Sequence, residues 1–306
     1  YEIGGVDACL FISRLYRVRT ICRLQGTILY PYIVSNRIHD SSIKYNYRMY
    51  KKLKRFDVVT MTNDGTKGDQ VLDYFGVPEE RTLFYPNGVS SFLVNYKRTK
   101  YEYTYKDSQS IRLVTISRLI GWKRVFLSIE IMNKLINVMK LDRFNLTIYG
   151  YGSDDEKQYL NLLINNYRLD QHIVLAGPIE YSNIPVIFEH NDILISLYKY
   201  SNLSNSLLEA IFFNFPIITI YDEAILRILE QNNGFDLIYL FKEEKDEEEL
   251  VYSITNFIMN IDIFQIRKKR AEMKDHNWNL TWEYRIEKEI ALLDRIVKYP
   301  ATAKNI

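Results

Sequence analysis

Short apolar runs alternate with amphipathic stretches through the last two thirds of the chain. The runs that we interpret as strands are Leu113–Ser117, Asn145–Gly150, Ile173–Gly177, Asp192–Tyr198, Pro216–Ile220 and Asp236–Phe241. Apolar residues recur at helical spacing between them, in Val125–Met139, Asp155–Tyr167 and Ser204–Phe213. After the last run we interpret the acidic stretch Glu243–Glu249 as a solvated loop and helix start, and Ile263–Lys274 as a helix. This alternation predicts parallel strands joined by crossover helices, and six such strands predict a doubly wound α/β domain.

The first third of the chain has a smaller version of the same pattern. Its predicted strands are Thr20–Leu24, Val58–Thr62 and Thr82–Tyr85, and its predicted helices are Val6–Tyr16, Tyr45–Arg55 and Lys67–Tyr74. Three strands make only a partial sheet. We therefore predict a partial N-terminal Rossmann-like domain over 1–95, a polar, tyrosine-rich linker over 96–110, a C-terminal domain over 111–280, and a C-terminal helix in 281–306.

The composition is that of a folded, soluble protein. Of its 306 residues 47% are hydrophobic and 25% charged, which disfavours disorder. No apolar run approaches the roughly 20 residues that a membrane-spanning helix needs. Cys9 and Cys22 favour buried free thiols and a reducing cytoplasm. A formal net charge of +2 gives no indication of nucleic-acid binding.

The segment Ser201–Ile220 carries the most chemical information. Ser204 is a predicted N-cap, so three backbone amides would point outward with the positive end of the helix dipole, those of Asn205, Ser206 and Leu207. A diphosphate fits there. Glu209 follows one turn later among apolar residues, where a carboxylate usually has a hydrogen-bonding or ionic partner, or a function. Taken alone, the segment also fits a capped core helix with a solvated carboxylate.

Two basic residues follow the first strand of the second domain. Arg118 and Lys123 lie at the edge of a doubly wound sheet where ligands bind, and together they can clamp a pyrophosphate. A surface basic cluster is the alternative. Gly150 closes the next strand and Gly177 the one after it. Each either lets a nucleotide approach the backbone or makes only a tight turn.

Several kinds of active site are absent from the sequence. It has no Gly-x-x-x-x-Gly-Lys-Ser/Thr, no Gly-x-Gly-x-x-Gly and no Gly-x-Ser-x-Gly. Its four histidines lack metal-ligand spacing, and no two aspartates stand two positions apart. We therefore expect no metal and no cofactor, and a diphosphate would be neutralised by protein cations and helix amides.

In their order along the chain, four segments resemble the retaining GT-B glycosyltransferases of group one (family 4-like). Val58–Val89 is similar to the last strand, helix and strand of the family's first domain, with its Pro-Asn-Gly-Val turn. Val114–Lys123 resembles the Gly-Arg-Leu…Lys-Gly element, Thr147–Gly152 the Gly-x-Gly turn, and Ser201–Pro216 the Glu-x7-Glu region. The match covers about Gln25 to Trp282, and the ordered combination is more specific than any single motif.

The resemblance implies two Rossmann-like domains facing a cleft, and transfer of a sugar from a nucleotide-sugar to an acceptor hydroxyl, with retention and without metal. Carried over to this chain, Arg118 and Lys123 would bind the diphosphate and stabilise the departing nucleotide. Glu209 would accept hydrogen bonds from the ribose hydroxyls. The other implied positions are Ser201, Asn205, Ser206, Leu207, Gly150 and Ile179 for the donor, and Gln25 and Gly26 for the sugar or acceptor.

Several positions depart from the family pattern. The family's first Glu falls at Ser201, two of its glycines fall at Ser117 and Arg124, and Gln25 stands where a sugar-contacting histidine is common. The family's glycine-rich first loop would precede Tyr1, so we expect the start of the first domain to be missing. These departures favour, as an alternative, a catalytically weakened GT-B domain that binds nucleotide or glycan or serves as an assembly partner. A nucleotide-sugar epimerase is a third alternative, but its additional acid/base residues have no counterpart here.

The expected partners are a nucleotide-sugar donor and a glycan, lipid-linked or small-molecule acceptor, without nucleic acid. We expect a cytoplasmic protein. Peripheral attachment to the cytoplasmic face of a membrane is an alternative that a basic cluster would support, formed by Lys44, Arg48, Lys51, Lys52, Lys54 and Arg55. A solvated helix face explains the same cluster.

Overall fold

The computed structural model describes residues 4–100, 103, 108–231, 236–273 and 279–298. The chain forms two compact units, one of Tyr1–Gly88 with Leu280–Ile306 and one of Val89–Asn279. Each unit has its own parallel sheet with helices packed on it. The expectation of a Rossmann-like α/β fold is confirmed.

The strands are β1 (Ile21–Leu24), β2 (Val58–Thr62), β3 (Thr82–Tyr85), β4 (Ile111–Ile116), β5 (Phe144–Tyr149), β6 (Ile173–Gly177), β7 (Ile193–Ser196), β8 (Ile217–Ile220) and β9 (Ile238–Phe241). The helices are α1 (Val6–Tyr16), α2 (Tyr30–Val34), α3 (Lys44–Tyr50), α4 (Gly68–Tyr74), α5 (Ser91–Thr99), α6 (Val125–Asn133), α7 (Asp154–Asn166), α8 (Ile184–His190), α9 (Asn205–Phe212), α10 (Glu223–Gln231), α11 (Glu247–Met259), α12 (Ile263–Glu272) and α13 (Trp282–Lys298). All nine predicted strands are confirmed to within two residues at each end.

The first unit has a three-stranded parallel sheet in the order β1-β2-β3. Every residue of the central strand β2 is buried, which is typical of a strand in a parallel sheet whose two faces are covered by packed elements. The helix α13 packs on β2 and β3. Its buried Arg285 donates to the carbonyl of Pro86 at 3.0 Å and to Asn87 Oδ1 at 2.8 Å, which ties the last described part of the chain to this unit.

The second unit has a six-stranded parallel sheet in the order β6-β5-β4-β7-β8-β9. The strands β4 and β7 are neighbours at its centre, with Leu113 opposite Ile193. Strand order reverses direction between them, which makes this pair the topological switch point. In a doubly wound sheet ligands bind outside the carboxyl ends of the strands at that point.

A buried ion cluster anchors the amino end of β7. Asp192 accepts hydrogen bonds from Arg112 and from Nε and Nη2 of the buried Arg267, at 2.8–3.2 Å. Burial by itself would raise the pKa of Asp192. The hydrogen bonds from Arg267 and Arg112 outweigh that effect and hold the pKa below its ordinary value.

The predicted linker over 96–110 is wrong at its start, because residues 96–99 belong to helix α5. Ser90 caps this helix by accepting from the Leu93 amide at 3.4 Å, and Leu93, Val94 and Lys97 face inward. The tyrosine-rich composition hid that helical pattern. Residues 101, 102 and 104–107 of the predicted linker lie outside the described residues.

Four further helices were not predicted from the sequence, α2, α8, α10 and most of α11. Two of them, α2 and α8, start with a proline in the first turn, where its missing amide costs nothing. The helix predicted over Val125–Met139 continues beyond α6 as a π-helical segment, Lys134–Val138. Within the described residues, no helix combines the length and the apolar character needed to cross a bilayer.

Candidate functional site

Two loops meet at the carboxyl edge of the second sheet, one following β4 and the other following β7. The Lys199 amide donates to the Trp122 carbonyl at 3.0 Å, and Arg124 Nε donates to the Leu197 carbonyl at 2.7 Å. These bonds join segments more than 70 positions apart in the sequence. Since β4 and β7 are adjacent, the two loops form one rigid surface at the switch point. We call it the switch-point platform (residues 117–124 and 197–207).

Lys123 is held within this platform by aromatic rings. Its Nζ lies 3.4 Å from the ring centroid of Tyr198 and 4.3 Å from that of Trp122. Tyr198 is itself fixed, since its hydroxyl donates to the Ile116 carbonyl at 3.1 Å. The lysine is only 9% exposed, so its charge is poorly screened by water and acts strongly on an anion nearby.

Arg118 lies two residues beyond β4 and is exposed. Within the part of the chain that the structure describes, its guanidinium makes no hydrogen bond or ion pair. The backbone on both sides is fixed, because the amides of Ser117 and Leu119 donate to the carbonyls of Tyr149 and Tyr151 at 3.0 and 2.8 Å. Arg118 therefore presents five unused donors from a rigid loop.

Gly150 supports this loop. A Cβ added to it would lie 1.8 Å from the Ser117 carbonyl oxygen, so only glycine fits there. From the sequence, Gly150 either lets a nucleotide approach the backbone or makes only a tight turn. On one side of the residue the close approach is made by the protein's own Ser117 carbonyl, and a nucleotide contact at Gly150 stays a prediction.

Arg124 joins the loop after β4 to two distant segments of the second unit. It has the left-handed backbone conformation, with φ of 48°, which explains why glycine is common at this position in the family that the sequence resembles. Its guanidinium is 2% exposed and donates to the two carboxylate oxygens of Glu243 at 2.6 and 2.8 Å. The acidic run Glu243–Glu249, interpreted from the sequence as solvated, is thus partly committed to this bidentate pair.

The first turn of α9 completes the platform. As predicted, Ser204 is the N-cap, and its Oγ accepts from the Leu207 amide at 3.3 Å. Leu207 is therefore wrong as a phosphate-facing amide, because the cap already uses its hydrogen. Asn205 is exposed and Ser206 half-buried at the same helix end, so the first turn still offers positive dipole to an anion.

The loop that precedes α9 is tightly packed. Ser201 has a φ of 56° and is buried, and Asn202 beside it is buried as well. The Asn202 Oδ1 atom is enclosed and has no hydrogen-bond partner among the described residues. A buried acceptor without a donor lowers the free energy of unfolding by about 1–3 kcal/mol. The packing around this loop therefore has to offset that loss.

Glu209 lies in α9 and is 7% exposed. Burial raises the pKa of its carboxyl to about 7, and a hydrogen bond from Tyr181 acts in the opposite direction. Tyr181 was not predicted as a site residue, because nothing in its spacing relates it to a residue 28 positions later. The tyrosine follows β6, so it reaches the same sheet edge as the platform.

The remaining predicted residues lie in two places. Ile179 is half-buried just beyond β6, at the carboxyl edge of the second sheet. Gln25 and Gly26 follow β1 and belong to the first unit. Gly26 has a φ of 120°, and a Cβ on it would lie 2.5 Å from the Asp64 carboxylate, so its role there is to admit Asp64.

Most of the second unit matches the sequence model of a known protein family. Residues 99–276 match the sequence model of the family described as "Glycosyl transferases group 1". Comparison with curated protein sequences gives no match.

Solved structures share the fold at low sequence identity. HepE from Anabaena, in complex with UDP-glucose, is 15% identical with a TM-score of 0.65, over 96% of this chain and 76% of that one. TarM from S. aureus, solved with UDP, fondaparinux and α-GlcNAc-glycerol, is 18% identical with a TM-score of 0.55, over 83% of this chain and 46% of that one. The pneumococcal O-GlcNAc transferase GtfA, in complex with UDP and GlcNAc, is 15% identical with a TM-score of 0.57, over 84% and 48%. The chain thus spans about half the length of the last two.

Proposed function

The chain belongs to the group 1 glycosyl transferases, and on this premise we propose that it moves a sugar from a nucleotide-sugar donor to an acceptor hydroxyl. The proposal includes retention at the anomeric carbon and no requirement for metal. The observation that carries it is the switch-point platform, where Lys123, Arg118 and the first turn of α9 share one sheet edge. Three sources of positive potential at such an edge fit a diphosphate.

The chemistry proposed for the platform is electrostatic. As the bond between the sugar and the diphosphate breaks, negative charge grows on the departing nucleotide. The exposed Arg118 guanidinium would form a bidentate contact with it, and Lys123 would act as a poorly screened point charge. Fixed cations aimed at developing charge lower the barrier without reorganising during the reaction.

We propose a uridine diphosphate as the nucleotide part of the donor. The support is that HepE, TarM and GtfA were each solved with UDP or UDP-glucose. Glu209 would accept hydrogen bonds from the ribose hydroxyls, because an ionised carboxylate offers only acceptors. Independence from metal is supported by the protein cations of the platform.

For the acceptor we propose a hydroxyl of a glycan, a lipid-linked sugar or a small molecule, with Gln25 and Gly26 on the acceptor side. We also propose, for a lipid-linked acceptor, attachment to an anionic membrane through the basic cluster of α3 and the residues after it. Lys44, Arg48 and Lys51 are exposed there, whereas Lys52 is paired with Asp7. Vesicle sedimentation with and without anionic lipid would test the attachment.

A second function is favoured by one observation. Ser201 replaces the carboxylate that holds the donor sugar in the family, and its short, buried side chain cannot reproduce that contact. A domain that binds the nucleotide and does not turn the donor over would have this site.

The experiment that separates the two functions measures release of UDP from UDP-glucose and from UDP-GlcNAc, with EDTA present. We expect slow UDP release that yields the retained anomer, detected by NMR. Arg118→Ala should abolish release, while the exposed Lys268→Ala on α12 should leave it unchanged. UDP binding without release from either donor would favour the binding function, and release that needs added magnesium would contradict metal independence.

A further inference from the structure

The outer side of helix α1 carries apolar residues where a surface helix normally has polar ones. Val6 and Leu10 are buried against the core of the first unit. On the opposite side of the helix Phe11 is 67% exposed and Leu15 63%, and Ile12 belongs to the same exposed stripe. Helix α1 is therefore apolar on two faces, and the core covers only one of them.

The exposed apolar residues are concentrated in this part of the chain. Of the 22 exposed large hydrophobic side chains in the described residues, six lie within positions 11–21, namely Phe11, Ile12, Leu15, Tyr16, Val18 and Ile21. We call this stretch the α1–β1 surface (residues 11–21). Soluble monomers seldom expose apolar side chains in such a cluster, and one that they do expose is typically an interaction site.

Strand β1, where the α1–β1 surface ends, has an open hydrogen-bonding edge. The first sheet has the order β1-β2-β3 among the described residues, so β1 has a neighbour on one side. The Val58 amide donates to the Thr20 carbonyl at 3.1 Å, and Val58 is in register with Ile21. In a parallel ladder the backbone groups of alternate residues point to opposite sides, so those of Ile21 and Arg23 point away from β2. A strand of a second polypeptide can bond to these groups, whereas the hydrocarbon of a bilayer cannot.

Both parts of this region are complementary to themselves. Ile21 and Arg23 lie on either side of Cys22, so a twofold axis at Cys22 would pair each with the other in an antiparallel ladder. Helix α1 has an exposed acid in its first turn, Asp7, and an exposed base in its last turn, Arg14. Two such helices side by side in opposite directions would bring Asp7 of each copy toward Arg14 of the other. A twofold contact requires this property, because the same patch meets itself.

The groups that this contact would use are available. Arg14 makes no hydrogen bond or ion pair with any residue that the structure describes. Asp7 is bonded to Lys52, but its side chain is 65% exposed and a carboxylate can accept from a second cation. Arg23 pairs with Glu289 at 3.1 Å through its side chain, which does not involve its backbone amide and carbonyl.

We propose that two copies of this chain associate through the α1–β1 surface, with β1 pairing antiparallel to its counterpart and the apolar stripes of the two α1 helices packed together. The two three-stranded sheets would then join into one sheet of six strands, and apolar side chains of both copies would leave water. The contact lies entirely in the first unit and does not depend on the proposed donor site.

Sedimentation equilibrium of the unmodified chain over a wide range of concentrations tests the association, and we expect a reversible dimer. Phe11→Ser/Leu15→Ser should weaken dimerisation by about tenfold or more, because it removes two large side chains from the exposed stripe. The matched control is Tyr159→Ser/Leu162→Ser, which changes two side chains of similar exposure, 51% and 52%, on helix α7. It should leave the dimer unchanged. Far-UV circular dichroism checks that both variants are folded.

Hydrogen exchange tests the strand pairing. In the dimer the amides of Ile21 and Arg23 should be protected, and the protection should be lost on dilution to the monomer. Ile21→Lys should prevent dimerisation, because a lysine on an edge strand disfavours the addition of another strand. Val174→Lys is its control, since Val174 is 58% exposed on β6, an edge strand of the second sheet. It should have no effect.

Charge reversal tests the antiparallel arrangement of the two α1 helices. Arg14→Glu should weaken the dimer severalfold, because it places a carboxylate near Asp7 of the other copy. Adding Asp7→Lys to the same chain should restore dimerisation, because each copy then presents both charges in exchanged positions.

Each outcome decides a part of the inference. A chain that remains monomeric at the highest concentration would overturn it, and a dimer that Phe11→Ser/Leu15→Ser leaves intact would overturn the assignment of the interface. Failure of Asp7→Lys to restore the Arg14→Glu dimer would overturn the antiparallel arrangement. A monomer that binds vesicles of phosphatidylcholine and phosphatidylglycerol, and needs Phe11 and Leu15 to do so, would show that a membrane covers this surface and not a second copy.

Discussion

Replacing Glu209 with glutamine should make the protein more stable at alkaline pH and weaken nucleotide binding. The carboxyl is 7% exposed, and burial raises its pKa from 4.5 to about 7. Between these values the folded protein binds more protons than the unfolded chain, so stability falls as the pH rises from about 4.5 through about 7. The shift corresponds to about 3 kcal/mol, lost in full above that range.

Glutamine has nearly the same shape, can accept from Tyr181 and does not titrate. We therefore expect Glu209→Gln to be more stable than the unmodified chain by up to about 3 kcal/mol at pH 8.5, with a gap that shrinks toward pH 5. Urea unfolding at four pH values would measure it. A gap that does not change with pH, or a less stable variant at pH 8.5, would refute the argument that burial of the ionised carboxylate is costly here. A carboxylate kept at such a cost is typical of a functional site.

Three further variants test the platform and its scaffold. Lys123→Ala should weaken UDP binding at least tenfold in calorimetry while far-UV circular dichroism stays unchanged, because a fixed cation is lost from a poorly screened position. Gly150→Ala should destabilise the protein and weaken UDP binding, since the new Cβ would lie 1.8 Å from a carbonyl of the loop that carries the basic residues. Gly4→Ala lies outside that loop and its new Cβ would meet nothing within 4 Å, so it should do neither. Arg267→Ala should lower the free energy of unfolding by about 3–5 kcal/mol, because it leaves a buried carboxylate short of a partner, and the exposed Lys268→Ala should change it little.

The sequence predicted the sheets better than the helices. Strands such as β8 are short apolar runs bounded by turn residues, and burial on both faces makes that pattern unambiguous. Helix α5 was not predicted, because only Leu93, Val94 and Lys97 are buried in a stretch that is otherwise polar. A buried lysine that donates to a helix carbonyl cannot be told from a surface lysine in a single sequence.

Only part of the candidate site was predicted, namely the residues whose roles depend on their neighbours along the chain. Local rules identified the Ser204 cap and the carboxylate at Glu209, because both depend on neighbours along the chain. The partners of these residues come from distant segments. Arg124 meets Glu243 across 119 positions, and Tyr181 meets Ser90 across 91. Such contacts are set by the order of strands in the sheet, which spacing in the sequence does not contain.

The most direct test of the donor site is a calorimetric titration with UDP, GDP and ADP in EDTA. We expect micromolar binding of UDP without metal and weaker binding of the other two nucleotides. Arg118→Ala should lose UDP binding, and Lys268→Ala should bind UDP as the unmodified chain does. No binding of any nucleotide, or UDP binding that Arg118→Ala leaves unchanged, would contradict a diphosphate site at the switch-point platform.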